Sequence, residues 1–510
     1  MSIHDGETFV QSIARRIVAR LHPARYVRDG DYRDSISALV AHGIGGFCIF
    51  DGTLDDVSET IRQLQALAQH RLLFAIDAET GLRMRIEDAV EFPHAFALGL
   101  QEPHVTEGVA SAIAESLRSL GIAWNFAPCA DIASNPRNPI IGIRAFGTEA
   151  PRVVEHVRAW IRGHQREGVA ACAKHFPGHG DASTDSHIEL PIITARADEL
   201  VARELVPFYA AIKEGVRSVM VGHFAVPALD GSGQIASLSG GIVRGLLRER
   251  LGYGGIVVTD ALDMRPITQR YSSGQAVTAA FAAGCDVALV PADAHEAIEF
   301  AERAHRSGML SLEEHREALA RLDRLIEDFA AYPRTSISQS EHAQRALEAA
   351  AGALRLAGDR SVLPLTQYAH IAAFALVEPD SPLDAPTEFF RYLAQLYDGN
   401  MDVAFISREI EQSDVTAHAE AIAQAECIIV AVFERPRAGR PLSRWDDRSL
   451  TDALDRLAEG KRRVLLIAGT PTVELAWRSD AVLWTFSDSS PSCAAAALLL
   501  SGRIGGDEAD

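Results

Sequence analysis

The sequence predicts an α/β protein, with a (β/α)8 TIM-like barrel followed by a smaller open-sheet α/β domain. Over residues 1–332 an amphipathic helix, a glycine, an apolar strand and a polar residue recur in that order. The strands are continuously apolar rather than alternating, which is typical of parallel strands buried on both faces. Eight such units in one stretch favour a closed barrel over an open sheet.

The predicted strands are seven clear apolar runs and a candidate first strand at Ile17–Leu21. Six of the clear runs end at polar residues, namely Asp51, Asp77, Asp131, Lys174 with His175, His223, and Asp260. Any one of them could cap a helix or simply end a strand. Because barrel enzymes carry their chemistry at the carboxyl ends of the strands, six polar ends on one rim predict an active site there.

The intervening segments have the 3.6-residue period of amphipathic helices. Two predicted apolar faces are Val153, Val157, Trp160 and Ile161, and Val201, Leu205, Phe208 and Ile212. A glycine follows each helix, which predicts a left-handed residue that turns the chain into the next strand.

Beyond the barrel, we expect a linker at residues 333–345 and a C-terminal α/β domain at 346–510. One helix is predicted over residues 340–358, followed by five apolar strands in a mostly parallel sheet. No GxGxxG follows a strand, so we expect no nucleotide cofactor. The Arg- and Pro-rich segment 433–447 is expected to be a surface loop.

Composition excludes several classes of partner. The chain carries 69 acidic and 49 basic residues, a net charge of −20, and such a surface repels nucleic acid. We expect no membrane partner, because there is neither a signal peptide nor an apolar run of about 18 residues.

Six cysteines without a CxxC pair predict buried reduced thiols and a cytoplasmic protein. The oligomeric state is left open.

The densest polar segment, residues 174–191, begins at the end of the fifth predicted strand, counting Ile17–Leu21 as the first, and reads KHFPGHGDASTDSHIELP. It resembles glycoside hydrolase family 3, and within it the NagZ-type bacterial β-N-acetylglucosaminidases, at Lys-His, Pro-Gly-His-Gly, Asp-Ser-His and Leu-Pro. Supporting matches are IDAETG at 76–81, NFAPCADI at 125–132, RAFG at 144–147, GHFAVPALD at 222–230 and TDALDM at 259–264. Thr80 and Thr259 depart from the family pattern, which usually has glycine and serine there.

The resemblance implies that Asp260 is the nucleophile of a covalent glycosyl-enzyme, a role that suits a carboxylate on a rigid strand end. A helix cap is the structural alternative for Asp260, and Asp263 is the competing nucleophile. The resemblance makes His187 the general acid/base and Asp185 its orienting partner. Imidazole suits proton transfer because its ordinary pKa is about 6.5. We expect His179 to shape the loop.

The resemblance also places Asp77, Arg144, Lys174 and His175 around the terminal sugar. Lys174 has independent support, because only three of the 49 basic residues are lysines and a compact ammonium is not interchangeable with a guanidinium. Asp131 has either a sugar-binding or a structural role.

The resemblance implies a retaining exo-β-N-acetylglucosaminidase that acts on a small sugar substrate, either muropeptide-type fragments in peptidoglycan recycling or chitin-derived oligosaccharides. A β-N-acetylglucosaminide phosphorylase is the alternative, because a neutral histidine acid does not repel phosphate. A metal-dependent amidohydrolase would share the barrel but needs a His-x-His pair that is missing from the first strand. A non-catalytic sugar-binding protein would not need Asp260 and His187. We expect no metal and no cofactor.

Overall fold

The computed structural model describes residues 8–182, 190–330, 337–377, 382–407, 418–435, 452, 455–456, 458–471, 475, 477–505 and 507–508. It contains two compact units. The first comprises Met1–Val90, Pro103–Ile141 and Ala145–Gln339, and the second comprises Glu91–Glu102, Gly142–Arg144 and Ser340–Asp510.

The strands, in chain order, are β1 Ile17–Leu21, β2 Gly46–Ile49, β3 Leu73–Ile76, β4 Trp124–Asn125, β5 Cys172–Phe176, β6 Ser218–Val221, β7 Ile256–Thr259, β8 Ala288–Leu289, β9 Arg355–Gly358, β10 His370–Val377, β11 Asn400–Ser407, β12 Cys427–Glu434, β13 Arg462–Gly469, β14 Ala481–Trp484 and β15 Asp507–Glu508.

The α-helices are α1 Phe9–Ala14, α2 Pro23–Arg28, α3 Gly30–Ala41, α4 Leu54–Leu67, α5 Ala95–Gly99, α6 Pro103–Leu120, α7 Ala150–Arg166, α8 Ala197–Ala202, α9 Val206–Lys213, α10 Arg265–Thr268, α11 Ser273–Ala283, α12 Ala294–Arg306, α13 Leu312–Ala330, α14 Gln339–Ala353, α15 Asp384–Leu396, α16 Ala419–Gln424 and α17 Ser490–Leu500. A π-helical segment, Gly241–Arg250, precedes β7.

The first unit is a closed barrel of eight parallel strands. Strands β1 to β4 pair in sequence, β5 to β7 do the same, and β8 pairs with β1. Parallel bridges close the two remaining gaps, Trp124 with Ala170 and Val258 with Val287. The predicted barrel is therefore confirmed, including the first strand.

The helical faces fit the prediction in one case and depart from it in the other. Val153, Val157, Trp160 and Ile161 are buried on α7, as predicted. The second predicted face is wrong, because the chain forms two helices and leaves Val201 40% exposed. The break has a local cause: Pro207 lies in the first turn of α9, where its missing N–H costs nothing, whereas inside a longer helix it would break a hydrogen bond.

The turns after α3, α6, α7, α9 and α11 contain the predicted left-handed glycines. They are Gly43, Gly121, Gly168, Gly215 and Gly284, all with positive φ. Before β7 the left-handed residue is Gly252, which follows the π-helical segment.

The second unit contains a seven-stranded sheet in the order β11-β10-β12-β13-β14-β9-β15. Alternate residues of β10 and β12 enter two separate apolar clusters, so the sheet is buried on both faces. The predicted open, mostly parallel sheet is confirmed. Among the described strands, the one antiparallel pairing is that of β14 with β9, and β15 pairs with β9 in parallel. The helix predicted over residues 340–358 is too long: it ends at Ala353, and Arg355–Gly358 forms β9. Helix α14 begins within the predicted linker.

The cysteines are buried free thiols, as predicted. Burial raises the pKa of Cys172 and of Cys285 to about 12, so both stay protonated at neutral pH. No helix within the described residues has the length and apolarity that crossing a membrane requires. Most of the Arg- and Pro-rich segment 433–447 lies outside the described residues.

Candidate active site

The end of β7 places Asp260 on the carboxyl-terminal rim of the barrel. Its backbone N–H donates to the Val221 carbonyl of β6 at 2.9 Å, and its Oδ1 accepts the Ala261 N–H at 2.8 Å. The following helix, α10, has Met264 as its N-cap. Asp260 is therefore not a helix cap, and its carboxylate needs another explanation.

The surroundings of Asp260 stabilise its anion. Burial by itself would raise the pKa of Asp260, but the electrostatic influence of His223, His175 and Lys174, together with the Ala261 N–H, outweighs burial and lowers it. At neutral pH this side chain is a carboxylate, which is the state that a nucleophile needs.

His223 lies beside this carboxylate and is fixed at both ring nitrogens. Its Nε2 donates to the Ala261 carbonyl at 3.0 Å, so its Nδ1 accepts from the Ser237 hydroxyl at 2.8 Å. Burial lowers the pKa of His223, so its imidazole is neutral at neutral pH. His223 thereby holds the backbone next to Asp260.

Lys174 binds two carboxylates from the end of β3. Its Nζ lies 2.7 Å from Asp77 Oδ1 and 2.7 Å from Glu79 Oε1, and the Lys174 side chain is only 2% exposed. Arg85 lies 3.6 Å from the other oxygen of Asp77. Asp77 remains 22% exposed, so it can still accept a hydrogen bond from a ligand.

Asp131 is a hydrogen-bond centre beneath the rim. It is fully buried, and its Oδ2 accepts from His175 Nδ1 at 2.7 Å, from the His175 N–H at 3.1 Å and from the Cys129 thiol at 3.3 Å. Its Oδ1 accepts the His179 N–H at 2.7 Å. Burial would raise the pKa of Asp131, but the charges and hydrogen bonds of the two histidines lower it. These bonds favour the structural alternative: Asp131 positions His175.

The described part of the glycine-rich loop is fixed by the segment after β4. Asn138 donates its side-chain amide to the carbonyls of His179 and Gly180 at 2.9 and 3.0 Å. A Cβ at Gly180 would lie 1.7 Å from the Ile132 carbonyl oxygen, so glycine is required there. The His179 ring packs edge-on against Phe224 at 4.8 Å, which agrees with a loop-shaping role.

The structure brings Asp77, Lys174, His175 and Asp260 to one rim, since Lys174 and His175 both act electrostatically on Asp260. Arg144 ends a 3₁₀ turn in the second unit. Asp185 and His187 lie outside the described residues. Asp263, the competing nucleophile, is paired with Arg20 at 2.6 Å.

Glu79 and Arg85 also lie at this site, although the sequence analysis did not assign either residue to sugar binding. Glu79 lies two residues after Asp77 in IDAETG, in the turn that follows β3, so its nearness to a polar strand end was the available signal. Thr259 keeps the hydroxyl of the usual serine, and its Oγ1 accepts the Leu289 N–H at 3.0 Å.

A closed parallel barrel with carboxylates, a lysine and histidines on its carboxyl-terminal rim is the architecture of a barrel enzyme, and comparisons identify its family. Residues 24–325 match the glycosyl hydrolase family 3 N-terminal domain. The chain belongs to glycosyl hydrolase family 3.

Relatives and solved structures agree with that assignment. Beta-hexosaminidase A of Pseudoalteromonas piscicida is 32% identical over 456 residues, covering 81% of this chain and 75% of the relative. Beta-hexosaminidase LpqI of Mycobacterium bovis is 32% identical over 305 residues, covering 55% of this chain and 75% of the relative. The structure of a family 3 β-N-acetylglucosaminidase from Paenibacillus sp. str. FPU-7 is similar with a TM-score of 0.83, 26% identity and 98% coverage of both chains.

Proposed function

We propose that this chain is a retaining exo-β-N-acetylglucosaminidase that releases terminal N-acetylglucosamine from muropeptide-type or chitin-derived oligosaccharides. The observation that carries the proposal is the anionic Asp260 at the end of β7, beside Lys174 and His175. The names of the similar proteins, beta-hexosaminidase and β-N-acetylglucosaminidase, support the sugar. With muropeptide substrates, the role would be peptidoglycan recycling in the cytoplasm.

In the first step, the Asp260 carboxylate attacks the anomeric carbon and forms an ester while the glycosidic C–O bond breaks. His187, oriented by Asp185, donates its proton to the departing oxygen. In the second step, the neutral His187 takes a proton from water, whose oxygen attacks the anomeric carbon and frees Asp260. Asp77, Lys174 and His175 hold the sugar hydroxyls during both steps.

The test is to incubate the protein with an aryl β-N-acetylglucosaminide in the presence and absence of phosphate and to identify the sugar product. We expect free N-acetylglucosamine with net retention in both conditions. N-acetylglucosamine 1-phosphate formed only with phosphate would establish the phosphorylase alternative instead. Parallel assays on a muropeptide and a chitin disaccharide would rank the natural substrates.

Removal of metal ions should leave the activity unchanged. The histidines of the rim are held by hydrogen bonds to Asp131, Ser237 and the Ala261 carbonyl, and the proposed steps use only proton transfer and a carboxylate. The measurement is the hydrolysis rate after exhaustive dialysis against a chelator. A loss that a divalent cation restores would contradict the glycosidase mechanism and favour a metal-dependent hydrolase.

Lys174→Arg should lower kcat/KM by the equivalent of about 1–3 kcal/mol, the scale of a hydrogen bond to a charged group. The Lys174 ammonium fits between Asp77 and Glu79 at 2.7 Å from each, and a planar guanidinium has different bulk and donor directions. The exposed Lys213, at the end of α9, is the matched control, and Lys213→Arg should have no effect. An unchanged kcat/KM for Lys174→Arg would remove Lys174 from the sugar site.

A further inference from the structure

Cys129 has no part in the proposed hydrolysis, yet its thiol lies against the pair formed by Asp131 and His175 under the rim. Cys129 and Asp131 lie two residues apart on the extended segment after β4, and so share a side. Cys129 forms a parallel β-bridge with Lys174 of β5. His175, the next residue of β5, therefore lies beside Cys129 and Asp131. Among the described residues, these three form the one group of His, Cys, Asp or Glu side chains whose ligand atoms all lie within 4.8 Å of one another.

The donor set is that of a zinc site rather than of a magnesium or calcium site. Thiolate, imidazole and carboxylate are the ligands that Zn²⁺ takes, whereas hard cations prefer oxygen alone. Bonds of about 2.0–2.3 Å at tetrahedral angles separate two ligand atoms by roughly 3.4–3.6 Å. Here Sγ lies 3.3 Å from Asp131 Oδ2, and His175 Nδ1 lies 2.7 Å from it. An outward movement of about 0.7 Å would therefore admit the ion.

We propose that Cys129, Asp131 and His175 form an inhibitory Zn²⁺ site. With a neutral His175, the ring proton moves from Nδ1 to Nε2 and Nδ1 binds the metal. The Cys129 thiol releases its proton to solvent and binds as thiolate. One carboxylate, one thiolate and one Zn²⁺ sum to zero charge, which suits the buried position of the group. The fourth coordination position is left for water.

Zn²⁺ would inhibit the enzyme because it withdraws the His175 ring from the sugar. This inhibition rests on the proposed glycosidase activity. The ion replaces the hydrogen bond between His175 and Asp131 that fixes the ring, so the ring cannot serve the sugar in the same position. Zinc and substrate should therefore compete. Binding itself does not depend on the proposed activity, so a spectroscopic measurement separates the two.

Co²⁺ is the probe for binding, because a cysteine thiolate bound to Co²⁺ gives a charge-transfer absorption in the near ultraviolet. We expect this absorption to saturate at one Co²⁺ per full-length chain and to disappear when Zn²⁺ is added. Cys129→Ser should abolish it, since a hydroxyl keeps the hydrogen bond to Asp131 but is a poor zinc ligand. Cys493→Ser is the matched control, because its thiol also donates to buried oxygens, and it should retain the absorption.

The kinetic arm measures aryl β-N-acetylglucosaminide hydrolysis against Zn²⁺ concentration. We expect reversible, competitive inhibition of the wild type and of Cys493→Ser, and at least a tenfold higher inhibitory concentration for Cys129→Ser. Absence of the cobalt–thiolate absorption, or its persistence in Cys129→Ser, would overturn the site. Cobalt binding with activity insensitive to zinc would overturn the inhibitory role. If the chain hydrolyses no glycoside, the proposed function fails while the spectrum still decides the site.

Discussion

Asp260→Asn is expected to lower kcat by several orders of magnitude while leaving the fold intact, because an amide cannot form the glycosyl ester. The backbone of Asp260 is held by β6 through the Val221 carbonyl, a bond that the variant keeps. The measurement is single-turnover hydrolysis of an aryl β-N-acetylglucosaminide, together with thermal unfolding to verify the fold. Retention of more than a few per cent of activity would contradict the assignment.

Two further variants separate a nucleophile from a merely anionic neighbour. Asp263→Asn changes a carboxylate three residues away that is already paired with Arg20, and it should retain most of the activity.

Asp260→Ala should recover turnover of an activated substrate when azide is added, since a small anion can attack the anomeric carbon from the vacated side. The product would be the α-glycosyl azide. Failure of azide to form it, with the fold intact, would argue against direct attack from this position.

The barrel was predictable because each of its signals is local. A buried parallel strand is an apolar run, and a left-handed glycine marks the end of many helices, so strand ends such as Asp77 and Asp260 could be placed on one rim. The errors arose where a local signal was ambiguous. Leu354 and Leu356 continue the apolar pattern of α14, yet the second belongs to β9, because pairing with β14 decides the conformation there.

Contacts across the barrel could not be predicted from the sequence. That Lys174 binds Glu79 as well as Asp77 depends on how β3 and β5 face each other, and no spacing within either segment encodes it. For Asp131, the sequence left two roles open. The choice needed the three-dimensional convergence of His175, His179 and Cys129 on one buried carboxylate.

Removal of the proposed acid/base pair, His187 and Asp185, is expected to have the second large effect on activity. Cleavage of a sugar alkoxide requires protonation, whereas a nitrophenolate leaves without it. His187→Ala should therefore reduce glycosylation by a disaccharide about 10²–10⁴-fold, the usual contribution of general acid catalysis, and should largely spare nitrophenyl N-acetylglucosaminide. Asp185→Ala should show the same contrast more mildly, because the imidazole would remain but lose its orientation.

Pre-steady-state burst rates on the two substrates are the measurement for His187→Ala, because slow deglycosylation could hide the contrast at steady state. His179→Ala is the control on the same loop. Its ring packs against Phe224, so its loss should disturb the site and lower both rates equally. Equal losses for His187→Ala would mean that His187 binds sugar or shapes the loop rather than donating the proton. Glu79, already beside Lys174 at the rim, would then be the first residue to test as the acid.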